Sequence, residues 1–161
     1  MKDYILYQNC VDIIENNGTI KRIFFDTNSG NTYWRYKIPN LVGTKHSGIY
    51  LGKDNYGVQY FLHNHYYVGH PCMVSAKEFG QGLPLGIYDA KCSNTPLKVI
   101  EKALTQVIRK EPYHFESYNC QGFTNDACHN HRKSEDVGKW GQRLFFGTLA
   151  YIGLSLIFSE D

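Results

Sequence analysis

Cys120, His46 and His63 are the residues of this chain with the clearest chemical potential. A thiol attacks acyl carbonyls as its thiolate, and a helix N-terminus and a neighbouring histidine stabilise that anion. Asn119 is a favourable N-cap, so Cys120 is expected to begin a helix. His46 can accept the thiol proton and later deliver it to a leaving group. His63 can bind the second ring nitrogen of His46 and fix its tautomer, as the acidic residue of a Ser-His-Asp triad does.

Residue types alone leave alternatives open for this site. The chain has five cysteines and seven histidines, and a cysteine is more often a small buried hydrophobic residue than a nucleophile. His65 lies on the same strand face as His63 and competes for the orienting role, for which we prefer His63. The Cys120 amide and a group near Tyr118 are the candidate oxyanion donors.

Composition predicts one packed domain. The 161 residues, 42% hydrophobic and 20% charged, suit a globular chain of α+β or α/β class. A net charge of +2 gives no electrostatic case for nucleic acid. Five cysteines without a CxxC pair argue against a disulfide framework and for mostly reduced thiols, with Cys10, Cys72 and Cys92 structural.

The two ends of the chain bear on its location. The start, MKDYILYQNC, lacks the pattern of a secretory signal, which favours cytoplasmic retention. Leu144–Phe158 carries no charge, but its 15 residues fall short of the roughly 20 that a straight helix needs to span a bilayer. This segment is a buried core helix, a membrane-surface segment or a truncated anchor, so membrane association stays an alternative.

Two kinds of element are expected to position the candidate residues. Strands are predicted at Tyr4–Tyr7 and Ile20–Phe25, followed by a hairpin of Ser47–Gly52 and Val58–Tyr67 that brings positions 46 and 63 side by side. A short extended stretch, Gly86–Asp89, comes next.

The predicted helices come later in the chain. Ser93-Asn94-Thr95-Pro96 starts an amphipathic helix that Pro112 stops. The helix that begins at Cys120 carries Phe123 and Ala127 on one face. His129 and His131 beside Cys128 are interpreted as a polar helix end rather than a metal site, because no second ligand cluster accompanies them.

Four motifs in this order resemble the lecithin:retinol acyltransferase-like family. They are HSGIYLG at 46–52, YFLHN at 60–64, KEFGQGLP at 77–84 and SYNCQGF at 117–123. The histidine motif precedes the Asn-Cys motif, which is the reverse of ordinary NlpC/P60 enzymes. The resemblance spans roughly 44 to 137 and implies a circularly permuted NlpC/P60, papain-like α+β fold, with an antiparallel sheet packed against helices.

The resemblance also implies roles for the candidate residues. It places the nucleophile on Cys120 at a helix N-terminus, the general base on His46 and the orienting residue on His63. Many relatives have Glu-His-Phe after the nucleophile, whereas this chain has Gln121-Gly122-Phe123. The resemblance therefore does not extend to the two residues that follow Cys120.

The interpretation of the whole chain is a permuted NlpC/P60 domain at 1–140, with a β lead-in at 1–40, and an apolar segment at 141–161. Its expected function is cysteine-dependent acyl transfer or hydrolysis through a thioester, with a lipid acyl ester as preferred substrate. The alternatives are a cysteine peptidase or amidase on peptide, isopeptide or peptidoglycan bonds, and a non-catalytic interaction module. No metal or organic cofactor is expected, and membrane contact would use Leu144–Phe158.

Overall fold

The fold combines one antiparallel sheet with a few helices, so the protein is of the α+β class. The structure is a computed structural model that describes residues 1–36, 45–87, 92–114 and 118–132. Its strands are β1 (Asp3–Leu6), β2 (Cys10–Ile14), β3 (Ile20–Phe24), β4 (Thr32–Tyr36), β5 (Lys45–Lys53), β6 (Gln59–His65), β7 (His70–Ser75) and β8 (Gly86–Ile87). Its helices are α1 (Ala76–Gly80), α2 (Pro96–Arg109) and α3 (Cys120–His129).

Strand β5 is the centre of the sheet. Strand β6 pairs along one edge of β5 and carries β7 on its outer side. Strand β4 pairs with the first half of the other edge of β5, and β3 meets its far end at Lys53. Strands β1, β2 and β3 form a meander, and β8 pairs with β4. The longest strand thus has neighbours on both edges.

Both faces of β5 are covered, which explains why it is buried from His46 to Gly52. One face packs against α2 and α3 through the main hydrophobic core, which includes Ile49, Leu62 and Phe123. The opposite face carries a smaller aromatic cluster of Tyr50, Phe61 and Phe79. The rings of Phe61 and Phe79 stack with centroids 4.6 Å apart.

Local sequence explains how the helices begin. Ser75 caps α1 in a reciprocal capping box with Glu78. Pro96 stands at the first position of α2, where the missing proline N–H costs nothing. The side chain of Asn119 accepts hydrogen bonds from the backbone N–H groups of Gln121 and Gly122, each at 3.0 Å, and so caps α3.

The main predicted elements are confirmed. The hairpin is β5 and β6, the proline-started helix is α2, and the helix that begins at Cys120 is α3. The early strands Tyr4–Tyr7 and Ile20–Phe25 correspond to β1 and β3 with shifts of one residue. The sequence did not single out β2, β4, β7 or α1. Of Gly86–Asp89, only β8 is described, and the apolar segment Leu144–Phe158 lies outside the described residues.

One cysteine pair departs from the expectation of reduced thiols. Cys92 and Cys128 form a disulfide, with Cα atoms 4.6 Å apart, that ties the segment before α2 to the end of α3. The sequence did not predict this pairing, because the two cysteines are 36 residues apart and disulfide partners depend on proximity in the folded protein. Cys10, Cys72 and Cys120 are free thiols.

Among the described helices, none combines the length and the apolarity that a bilayer crossing requires.

The close approach of Phe79 to β5 can be tested at Gly48. A Cβ at Gly48 would lie 2.7 Å from Phe79 Cε2 and 3.1 Å from the Leu62 carbonyl oxygen. We expect Gly48→Ala to lower the free energy of unfolding by about 1–3 kcal/mol, measured by urea denaturation, because overpacking displaces the ring.

Gly80→Ala is the matched control, since its Cβ would meet Leu85 Cδ2 at an ordinary 3.7 Å. Equal stability of the two variants would contradict the tight packing of Phe79 against β5.

Candidate active site

His46 and His63 form a buried hydrogen-bonded pair on neighbouring strands. Ile49 of β5 pairs with Leu62 of β6, so His46 and His63 lie diagonally across the two strands on one face of the sheet. His46 Nε2 lies 2.7 Å from His63 Nδ1, and their rings meet edge to face. His46 is 7% exposed and His63 is 3% exposed. The pair is therefore held both by the sheet register and by burial.

This hydrogen bond determines which nitrogen of His46 can act as a base. With Nε2 directed at His63, Nδ1 is the ring nitrogen of His46 that would act as the base. That role requires Nε2 to carry the hydrogen and to donate it to His63 Nδ1, because a neutral imidazole has one donor and one acceptor. The contact orients the His46 ring, which is the role that the sequence analysis expects of a third residue.

His63 is neutral at ordinary pH. Burial, then the neighbouring imidazole of His65 and the guanidinium of Arg35, lower the pKa of His63 to about 3. Its Nε2 is buried and has no hydrogen-bond partner among the described residues. His63 can therefore orient His46, but it does not add the negative charge that an aspartate would supply.

His65 lies beside the pair without replacing His63. Its ring centroid is 5.1 Å from that of His63 and 6.2 Å from that of His46. Burial and the nearby Arg35 lower the pKa of His65 as well. Strand alternation puts both candidates on one face, as predicted, and it is His63 that makes the hydrogen bond to His46.

Cys120 is the first residue of α3 and is placed at the His46 end of β5. Its Sγ lies 3.9 Å from the carbonyl oxygen of Lys45, the residue that directly precedes His46. One turn further along α3, Thr124 Oγ1 lies 3.2 Å from Ser47 Oγ. The Cys120 sulfur therefore lies at the end of β5 that carries His46.

Burial limits access to this thiol. Cys120 is only 1% exposed, so an acyl donor must displace neighbouring side chains before it reaches the sulfur. Burial alone would suit a structural cysteine. The capped helix start and the histidine pair at the same end of β5 are what distinguish Cys120 from such a residue.

The segment before Cys120 is held by Asn64 of β6. Asn64 Nδ2 donates a 2.8 Å hydrogen bond to the Tyr118 carbonyl oxygen, and Asn64 is fully buried. Its Oδ1 has no partner among the described residues. The Tyr118 hydroxyl donates a short hydrogen bond to Gln106 Oε1 on α2. Asn64 therefore belongs to the candidate site, where it sets the position of the backbone that leads to Cys120.

A cavity of about 560 Å³ opens beside the histidines. It is lined by Arg35, His46, Asn64, His65, Tyr66, Tyr67, Gln81 and Tyr113. Tyr66 and Tyr67 are well exposed at the β6–β7 turn. The cavity thus joins His46 to an aromatic rim at the surface.

Arg35 is a site residue that sequence reasoning missed. It lies on β4 directly opposite His46, so the two side chains share a face of the sheet. It is 6% exposed, and its Nε donates a 2.6 Å hydrogen bond to the Phe79 carbonyl oxygen. Nothing local in the segment TYWRY marks an arginine for burial, because its position depends on the pairing of β4 with β5.

The remaining cysteines and histidines have other surroundings. Burial, then the charge of Glu78, raises the pKa of Cys72 to about 11, which makes this thiol a poor nucleophile at neutral pH. Cys128 is bonded to Cys92, and His129 Nδ1 lies 3.0 Å from Ser93 Oγ. Within the part of the chain that the structure describes, no three His, Cys, Asp or Glu side chains gather as ligands for a metal ion.

The described fold and site define an α+β protein whose sheet carries a buried histidine pair, with a cysteine that begins a helix at the same end of β5. Comparison of the chain with protein-family models, with curated proteins and with solved structures finds no match.

The buried, neutral His63 makes the stability of the protein depend on pH. The unfolded chain binds a proton at His63 below its ordinary pKa of 6.5, whereas the folded protein binds it only near 3. The stabilisation is thus complete above pH 6.5 and is lost as the pH falls toward 3. We expect His63 to account for a loss of about 2 kcal/mol in the free energy of unfolding between pH 7 and pH 5.

Urea denaturation at the two pH values measures this loss. His63→Gln should show a pH dependence smaller by that amount, whereas His131→Gln, which removes an exposed imidazole, should keep the wild-type dependence. An unchanged pH dependence in His63→Gln would show that His63 is not the neutral buried group described above.

Proposed function

We propose that this protein is a cysteine-dependent acyl-transfer enzyme. The observation that carries the proposal is the His46–His63 hydrogen bond at the end of β5 where Cys120 Sγ contacts the Lys45 carbonyl. A nucleophile, a base and a residue that orients the base are the three parts that such chemistry needs. The positions of Cys120, His46 and His63 on adjoining elements support these three roles.

The proposed reaction has two steps. His46 Nδ1 takes the proton of the Cys120 thiol, and the thiolate attacks an ester or amide carbonyl. The bond to the leaving group breaks, that group takes the proton from His46, and a thioester on Cys120 remains. Water or an acceptor alcohol or amine, deprotonated by His46, then attacks the thioester, and the sulfur leaves as thiolate.

The arrangement of the chain supports a permuted NlpC/P60, papain-like fold as part of the proposal. The histidine strand precedes the cysteine helix, and an antiparallel sheet packs against α2 and α3, as the resemblance to the lecithin:retinol acyltransferase-like family implies. The motif residues Gly48 and Phe79 also meet beside the histidines, although they come from separate segments.

A lipid acyl ester is the substrate class that we place first. The mouth of the cavity is aromatic, and the exposed Tyr66, Tyr67 and Val68 form one continuous turn beside it. Aromatic rings suit the boundary between water and lipid because one end of each is apolar and the other polar. A cytoplasmic location, with membrane contact through Leu144–Phe158, completes the proposal.

The proposal is tested by intact mass spectrometry after incubation with short-chain phospholipids or with peptides. We expect an acyl adduct that maps to Cys120 and is absent in Cys120→Ala. His46→Ala should form it at least about 100-fold more slowly, since a general base contributes factors of this order. Circular dichroism checks that both variants fold.

Cys72→Ala is the matched control, because it removes a different free thiol, one that is only partly buried, and should leave the adduct intact. An adduct from peptides alone would favour a peptidase or amidase. An undiminished adduct mass in Cys120→Ala would end the proposal.

A further inference from the structure

We propose that Arg35 makes the cavity beside His46 a recognition site for an anion, a phosphate or carboxylate group of the molecule that occupies the cavity. The inference deepens the acyl-transfer function and rests on it for the identity of that molecule, since the anionic group would belong to the acyl donor. It concerns a residue that takes no part in the proposed proton transfer.

The position of Arg35 is the first argument. Arg35 lies across from His46 in the β4–β5 register and lines the same cavity. Its hydrogen bond from Nε to the Phe79 carbonyl oxygen fixes the plane of the guanidinium. A fixed guanidinium presents its nitrogens in the fork that matches two oxygens of a phosphate or carboxylate.

The charge of the cavity is the second argument. Among the described residues that line it, none is acidic, and Arg35 is the permanent cation. Burial is the largest cause that lowers the pKa of His63 and His65, and the guanidinium adds to it at both residues. Arg35 therefore supplies the permanent positive charge among the described residues that line the cavity.

The burial of Arg35 is the third argument. Moving a guanidinium out of water is unfavourable, and burial accordingly lowers the pKa of Arg35. An anion bound in the cavity would offset this cost and would be held in surroundings where a charged pair is weakly screened.

Arg35 could instead act on the nucleophile, since the charge of Cys120 also interacts with it. The test therefore uses the full chain with Cys120→Ala, in which no thiolate is present and no turnover occurs. Binding is followed by the ring proton–nitrogen NMR signals of the histidines that line the cavity. The probes are matched pairs, hexanoate against hexanamide and dihexanoylphosphatidylglycerol against dihexanoylglycerol.

We expect the anionic member of at least one pair to bind at least about tenfold more tightly, the factor typical of a charge-assisted hydrogen bond. The hexanoate pair reports a carboxylate and the lipid pair a phosphodiester, so the two arms distinguish the sources of the anion. Adding Arg35→Gln should abolish the preference, and Arg35→Lys should retain part of it. Arg109→Gln, which removes an exposed charge at the end of α2, should retain all of it.

Equal binding of the charged and neutral members, or a preference that survives Arg35→Gln, would overturn the inference. If Arg35→Gln does not fold, the comparison within each pair and the Arg35→Lys variant still decide. Absence of an acyl adduct on Cys120, with the anion preference intact, would instead remove the enzymatic proposal and leave the anion site.

Discussion

The register between β5 and β6 is the constraint on which the site depends. It brings His46 Nε2 within 2.7 Å of His63 Nδ1, and a slip of one residue would turn one of the two histidines to the opposite face of the sheet. Burial then holds the pair in this geometry, because both side chains are almost wholly enclosed. The proposed chemistry therefore requires the correct pairing of β5 with β6 in addition to the individual residues.

The two faces of the sheet differ in what they carry at the end of β5 that bears His46. One face carries the hydrophobic core against α2 and α3, and α3 brings Cys120 to the start of β5. The other face carries the histidines under Phe79, whose ring occupies the space that the absent side chain of Gly48 leaves. The start of α3 reaches the end of β5 that carries His46, because Cys120 Sγ lies 3.9 Å from the Lys45 carbonyl oxygen.

Sequence patterns predicted the parts of the site that depend on local chemistry. Short stretches of sequence predict the cap at Asn119, the helix start at Cys120 and the hairpin of β5 and β6. The structure confirms all three. Strand alternation placed His63 and His65 on one face but could not choose between them, because that choice depends on the exact register.

What the sequence did not reveal depends on contacts between distant segments. Arg35 enters the site through the pairing of β4 with β5, and Phe79 reaches the histidines through α1, which was not predicted. The bond between Cys92 and Cys128 likewise joins segments 36 residues apart. The signal for Arg35 was weak even in retrospect, since an arginine in a short aromatic strand is most often exposed.

The electrostatic arrangement separates this site from a triad that ends in a carboxylate. A carboxylate stabilises the imidazolium that forms during proton transfer, whereas the neutral His63 only orients His46. The fixed positive charge nearby belongs to Arg35, which disfavours additional positive charge on the histidine cluster. Such surroundings keep imidazoles unprotonated, the state that a general base requires, and they favour negative charge on sulfur or on a bound ligand. The cation on β4 and the neutral His63 thus act in the same direction, and together they favour anions over cations in the cavity.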